Sequence, residues 1–245
     1  MNYLSGITLS LLLACSTPVA AAKSSTALPC AARSLDFGQP AAGWAHMPLS
    51  KLKRDTVYSL VQEDGHAVLR GVADSSASLY VALFKQATGT PVSIGWRWKT
   101  DALVPDADNR DKKREDAPLR VLVAFDGDKT TLSEEEQKRF QRAKSLTGRD
   151  GPYATLMYIW SDHVPVNTVI PSAHTSQVKM LAVASGSAGL GRWQSVQRNL
   201  AADYRRAFGA APGRVLGVAV MTDTDNTGAK AVGEYADIRF DCSGV

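Results

Sequence analysis

Arg214–Phe240 reads RVLGVAVMTDTDNTGAKAVGEYADIRF, and the two halves of this stretch carry different periods on either side of a polar loop. Val215, Leu216, Val218, Val220 and Met221 form an apolar run, the pattern of a strand covered on both faces. In the second half Ala236, Ile238 and Phe240 alternate with Tyr235, Asp237 and Arg239, the period of a half-buried strand. Between the halves Asp223, Asp225 and Asn226, with Thr222, Thr224 and Thr227, gather many side-chain oxygens. Two strands joined by such a loop predict a β-rich fold with a polar site at one rim.

The pattern continues outward from this hairpin. Thr56–Gln62 and His66–Val72 are β-rich runs separated by Glu63-Asp64-Gly65, and Asp-Gly between strands is a strong hairpin signal. Ser78–Phe84 follows. Pro91–Thr100 has the clearest alternation, with Val92, Ile94, Trp96 and Trp98 on one face and Ser93, Gly95, Arg97 and Lys99 on the other. Further strands are expected at Leu119–Phe125, Tyr153–Trp160, Thr168–Ile170, Val178–Ala184 and Trp193–Arg198. Two helices interrupt them. Ser133 and Glu136 make a capping box for Glu134–Leu146, whose stripe of Phe140, Ala143 and Leu146 is narrow, so this helix should lie on the surface of the sheets. Leu200–Phe208 places Leu200, Tyr204 and Phe208 on one face and stops at Gly209. About ten strands with helices confined to connections predict a mainly antiparallel, all-β, two-sheet sandwich.

Composition sets the compartment and narrows the partners. The 245 residues carry 28 Lys and Arg against 24 Asp and Glu, a formal net charge of +4. Basic residues are interleaved with acids, which argues against nucleic acid as a partner. Residues 1–22 read as an export signal, with an apolar core at Ile7–Ala14 and a small-residue end at Ala20-Ala21-Ala22. That core is too short for a transmembrane segment, which needs about 20 residues. Leu12-Leu13-Ala14-Cys15 offers a rival maturation, because it resembles a lipoprotein box in which Cys15 would be lipidated. Residues 23–245 then form a single domain, periplasmic or secreted. In an oxidising compartment Cys30 and Cys242 are read as a disulfide, the alternative being two buried free thiols. A bridge between them would make the first and last strands neighbours.

Several motifs in order resemble the bacterial domain of unknown function 3047. They are Arg97-Trp98-Lys99, Glu115-Asp116-Ala117-Pro118 with Arg120, Tyr158-Ile159-Trp160, Trp193 with Arg198-Asn199, Asp203–Gly209 and Thr222–Thr227, spanning about Phe37–Phe240. The resemblance implies an exported protein with a jelly-roll sandwich similar to galactose-binding and other carbohydrate-binding modules, and it supplies no reaction. The acidic pair, usually Asp-Asp in that family, is Glu115-Asp116 here.

The expected function is therefore a noncatalytic module for a glycan or another cell-envelope ligand, because sugars need planar aromatic faces beside fixed donors and acceptors. The candidate ligand-binding residues are Arg97, Trp98, Asp116, Arg120, Trp160, Trp193, Asp223, Asp225 and Asn226, with Tyr158 a further aromatic. The alternative for Trp98, Tyr158, Trp160 and Trp193 is that they fill the sandwich, which is the commoner role for tryptophans on an apolar face such as that of Trp96 and Trp98. Asp223, Asp225 and Glu234 also match part of a calcium loop, D-x-D with an acid at the twelfth position, so Ca2+ is a candidate cofactor. Two other classes remain open: a glycosidase-like hydrolase using converging carboxylates among Glu115, Asp116, Asp223 and Asp225, and a structural envelope protein. The loop Ser185–Gly191 fails the G-x-S-x-G spacing of a serine hydrolase.

Overall fold

The computed structural model of the chain describes residues 30–84 and 90–243; the expected export segment 1–22 and Cys15 lie outside the described residues. Within them, thirteen strands form two layers. One layer runs β11 (Gln194–Asn199), β6 (Ser93–Lys99), β13 (Lys230–Asp241), β4 (His66–Asp74), β3 (Val57–Glu63), with β1 (Arg33–Leu35) also paired to β13. The other runs β2 (Trp44–Pro48), β5 (Ser78–Leu83), β12 (Val215–Asp223), β7 (Ala117–Phe125), β8 (Ala154–Ser161), β10 (Val178–Ser185), β9 (Val169–Pro171). The expected all-β sandwich is the architecture found. β8 and β10 run parallel, which requires the long connection between them, while the other strand pairs are antiparallel.

The opening stretch supplies an interior strand to each layer. β12 lies between β5 and β7, whereas β13 lies between β6 and β4 in the opposite sheet. The connecting residues 224–229 therefore cross the end of the sandwich. Tyr235, expected on the solvent face of β13, points into the core, because the register shifts between Ala236 and Arg239. Asp237 takes up that irregularity with a φ of 54°, a left-handed conformation that aspartate tolerates. The Tyr235 hydroxyl donates across the sandwich to the Met221 carbonyl at 2.7 Å and lies 3.0 Å from Thr222 Oγ1. Gly233 sits beside this bridge. A Cβ there would meet the Pro118 carbonyl oxygen at 2.6 Å, so the two sheets approach too closely for any side chain.

The expected disulfide is present, Cys30 to Cys242, and it stands beside the pairing of Arg33 with Phe240. At the turn between β3 and β4, Asp64 and Gly65 both have positive φ, 50° and 79°, as a tight hairpin demands. Trp96, Trp98, Tyr158 and Trp160 pack between the layers, with the Trp98 and Trp160 rings 6.2 Å apart.

Helix α1 (Glu134–Thr147) starts at the expected cap, Ser133 Oγ accepting from the Glu136 amide, but its apolar stripe does not hold it. Leu146 is 85% exposed, and the largely covered residue is Glu136. Its carboxylate accepts from Thr175 Oγ1, Ser176 N and Ser176 Oγ, docking the helix through hydrogen bonds. Burial works to raise the Glu136 carboxyl, yet those three donors outweigh it and hold it below the usual value of 4.5. A depressed folded value stabilises the protein above the unfolded one and loses that contribution as pH falls. We expect Glu136→Gln to cost about 1 kcal/mol at neutral pH and nothing once pH is well below 4.5, as read from urea midpoints at both pH values.

Helix α2 (Leu200–Phe208) buries Leu200 and Tyr204 as its pattern required. It also buries Asp203, which makes a bidentate pair with Arg198 at 2.7 and 2.8 Å.

Candidate functional site

Asp116, Arg120, Asp223, Asp225 and Asn226 come together at the end of the sandwich crossed by residues 224–229. Strand geometry sets this up: Ala117 of β7 pairs with Asp223 of β12, so Asp116 lies beside the loop that follows β12. Asp116 is buried and accepts four hydrogen bonds. Asn226 N and Nδ2 reach Oδ1 at 3.2 and 3.1 Å, and Thr227 N and Oγ1 reach Oδ2, both at 2.7 Å. Its carboxylate is thus the anchor of the loop. Asn109 completes the surroundings, donating to the carbonyls of Glu115 and Asp116 from the buried part of the 101–116 connection.

Arg120 and Asp223 form a buried ion pair at 3.0 Å. The guanidinium also donates to the Glu115 carbonyl and to Met157 Sδ, and its Nε has no partner among the described residues. Burial pushes the Asp223 carboxyl well above the usual carboxylate range; Arg120 opposes that, and Asp116 adds to it. Asp225 goes the other way. Burial favours its neutral form, but the hydrogen bond from Lys53 and the positive charges of Lys53 and Arg120 keep it low. Asp116, Asp223 and Asp225 each place one oxygen within 4.8 Å of the others, and Asp225 Oδ1 is buried without a partner. A divalent cation would find three ligands here, in competition with Arg120 and Lys53, which already balance two of the three charges.

Glu234 does not join this group. It lies on the outer face of the β13 sheet, with Lys99 at 2.7 Å and Arg70 at 3.8 Å, because strand alternation from Lys230 turns it away from the loop. Glu115 also departs from its neighbour and lies 3.4 Å from His174.

The aromatic candidates separate. Trp98 and Trp160 are 0% and 1% exposed, so neither offers a ring to a ligand; both belong to the core because their strands turn those positions inward. Tyr158 is buried with them, and burial raises its phenol well above the usual value. Trp193 and Arg97 lie on the outer face of the β13 sheet. Arg97 and Lys99 stand 5.1 and 5.2 Å from the Trp193 ring centre. Glu63 Oε1 accepts from the indole N–H at 3.1 Å and from Lys99 Nζ at 3.1 Å, and Arg97 pairs with Asp237. Glu63 and Lys99 were not singled out from sequence, although Glu63 closes a hairpin strand that alternation places next to this face.

Among solved structures the chain is similar to the family 11 carbohydrate-binding module of the cellulosomal cellulase Lic26A-Cel5E of Clostridium thermocellum, at 9% identity and a TM-score of 0.46 over 88% of this chain and 97% of that one. It is also similar to the family 11 xylanase from Neocallimastix patriciarum, at 8% identity and a TM-score of 0.26 over 85% and 98% of the two chains. No curated protein matches it. The model of the family described as "Protein of unknown function (DUF3047)" matches residues 42–239, and the chain belongs to that family.

Proposed function

We propose that the chain is an exported, noncatalytic binding module that takes carbohydrate, or a similar polyhydroxyl component of the cell envelope, on the outer face of the β13 sheet. The observation that carries this reading is the setting of Trp193. Its half-buried indole is fixed at the N–H by Glu63 and lies over two cations from one strand, Arg97 and Lys99. In this reading the half-buried ring is the stacking surface, and the surrounding charged groups offer donors and acceptors to hydroxyls.

The carboxylates support a noncatalytic role. A glycosidase pair needs two carboxyl groups about 5–9 Å apart flanking a substrate. Here Asp116 is saturated by the loop it anchors, and Asp223 is paired to Arg120 inside the protein. A disulfide belongs to an oxidising compartment, which agrees with periplasmic or secreted localisation through residues 1–22, with anchorage at Cys15 as the alternative maturation.

A thermal-shift screen of the mature chain with oligosaccharides tests the proposal, since a ligand that prefers the folded state raises its melting temperature. At least one oligosaccharide should give a rise in the wild type, and Trp193→Ala should weaken binding about tenfold or more while leaving the unliganded protein folded. An oligosaccharide shift that is unchanged in Trp193→Ala would remove this face from consideration. Two further arms separate the other classes. A rise with Ca2+ reversed by chelator would assign a cation to the three carboxylates. Hydrolysis of labelled oligosaccharides, lost in a folded Asp223→Ala, would make the protein an enzyme.

A further inference from the structure

A concavity opens at the end of the sandwich away from the Asp116 cluster. β7 runs from the Asp116 cluster to Phe125, about 25 Å at the rise of a strand. There, between the end of β7, the start of β10, the C-terminal turn of α2 and the approach to β12, lies a cleft of about 530 Å3. Small-molecule sites typically enclose about 300–1,000 Å3. Its apolar wall is aromatic: Tyr153, Tyr204 and Phe208 line it, the last two with ring centres 4.5 Å apart. Tyr153 packs on Gly127, where any Cβ would collide with the phenol ring.

The charges in this cleft are unequally satisfied. Asp126 is paired with Arg214, and Asp128 Oδ1 accepts from Thr130 N and Oγ1 at the outer rim. The Ser176 hydroxyl is given to Glu136. Lys179 differs. Strand alternation places it on the same side of β10 as Leu181, which belongs to the core, and it stands opposite the buried Leu156 of β8. A lysine therefore occupies an inward-facing position, half-buried in the cleft wall, and among the described residues no carboxylate lies within 4.0 Å of its ammonium. Charged groups leave water at a cost unless they are paired, so an ammonium here favours an arriving anion.

We propose that this cleft is a second ligand site, for a small organic anion with a flat apolar body: the body lies against Tyr153 and Phe208, and the anionic group pairs with Lys179. The site is independent of the Trp193 face.

Two dyes of similar shape separate charge from stacking: anionic 1-anilinonaphthalene-8-sulfonate and uncharged N-phenyl-1-naphthylamine, each titrated by fluorescence into the folded full chain. The wild type should bind both. Lys179→Met, which keeps side-chain length on an apolar row, should weaken the sulfonate about tenfold and leave the uncharged dye unchanged. Ala207→Trp, which fills the cleft, should abolish both, and Trp193→Ala should affect neither. Melting temperatures of the variants identify any loss due to misfolding. Equal sulfonate binding by wild type and a folded Lys179→Met would overturn the proposal, as would binding of both dyes that survives Ala207→Trp.

Discussion

Opening the Cys30–Cys242 bridge should produce the largest loss of stability of any single change considered for this chain. The bridged residues are 212 positions apart. In the chain-entropy model, releasing a loop of that length from the unfolded state costs the folded protein about 5 kcal/mol, with about 2–5 measured for removal of native bridges in small domains. The native side of the balance adds to the loss. β1 has three residues and pairs with β13 at Arg33–Phe240, Ser34–Arg239 and Leu35–Ile238. Leu35, its last residue, and Phe37 just beyond it are buried in the main core. Without the bridge, this short strand must hold the chain end by itself. Cys242→Ser, or wild type under reductant, is expected to lower the unfolding free energy by about 3–5 kcal/mol and the melting temperature by roughly 10 °C for a domain of this size. Urea titrations with and without reductant measure it. Midpoints that agree within experimental error would mean that the bridge constrains nothing that matters to folding.

Asp116→Ala comes next. Its two oxygens receive two backbone amides and two side-chain donors from Asn226 and Thr227. Each hydrogen bond to a charged group contributes about 1.5–3 kcal/mol, but Asn226 is exposed and its donors can turn to water. The expected cost is therefore about 3–4 kcal/mol rather than the full sum. Asp116→Asn should recover less than half, because its amide nitrogen would face donors. Asp225→Ala serves as the control and should cost under about 1 kcal/mol, since Lys53, its partner, is substantially exposed. Thermal unfolding of the three variants gives the ranking. If Asp116→Ala fell level with Asp225→Ala, the carboxylate would not be what holds the loop.

Much of this was readable from residues alone, and the places where it was not have physical causes. Strand period put Trp96 and Trp98 of β6 on one face and its polar residues on the other, the Ser133–Glu136 box gave the start of α1, and Gly209 gave the end of α2. A polar cluster at one rim was expected, but the meeting of Asp116, Arg120 and Asp223 was left open, because it depends on the pairing of β7 with β12. Alternation tells which side chains share a face, not which of two faces becomes covered. That is why Trp98 and Trp160 entered a list of ligand residues although both lie in the core. Tyr235 was assigned to solvent because a bulge shifts the period by one residue, and nothing local marks it except an aspartate able to take positive φ. β1 and β2 were missed because three and five residues are too few to show a period. The cleft gathers residues from four separate stretches, so the single linear hint was Lys179 in a largely apolar strand.

The pairing of β1 with β13 also dictates when the molecule can fold. Arg33–Leu35 are synthesised long before their hydrogen-bonding partners, Ile238–Phe240, so vectorial completion of this layer from its earlier strands is impossible. The β13 layer has no middle until β13 itself is made, which keeps β4 and β6 without their shared neighbour until then. Such long-range pairing is slow. A nascent chain of this design keeps this layer open until β13 has been made, and closes it only then.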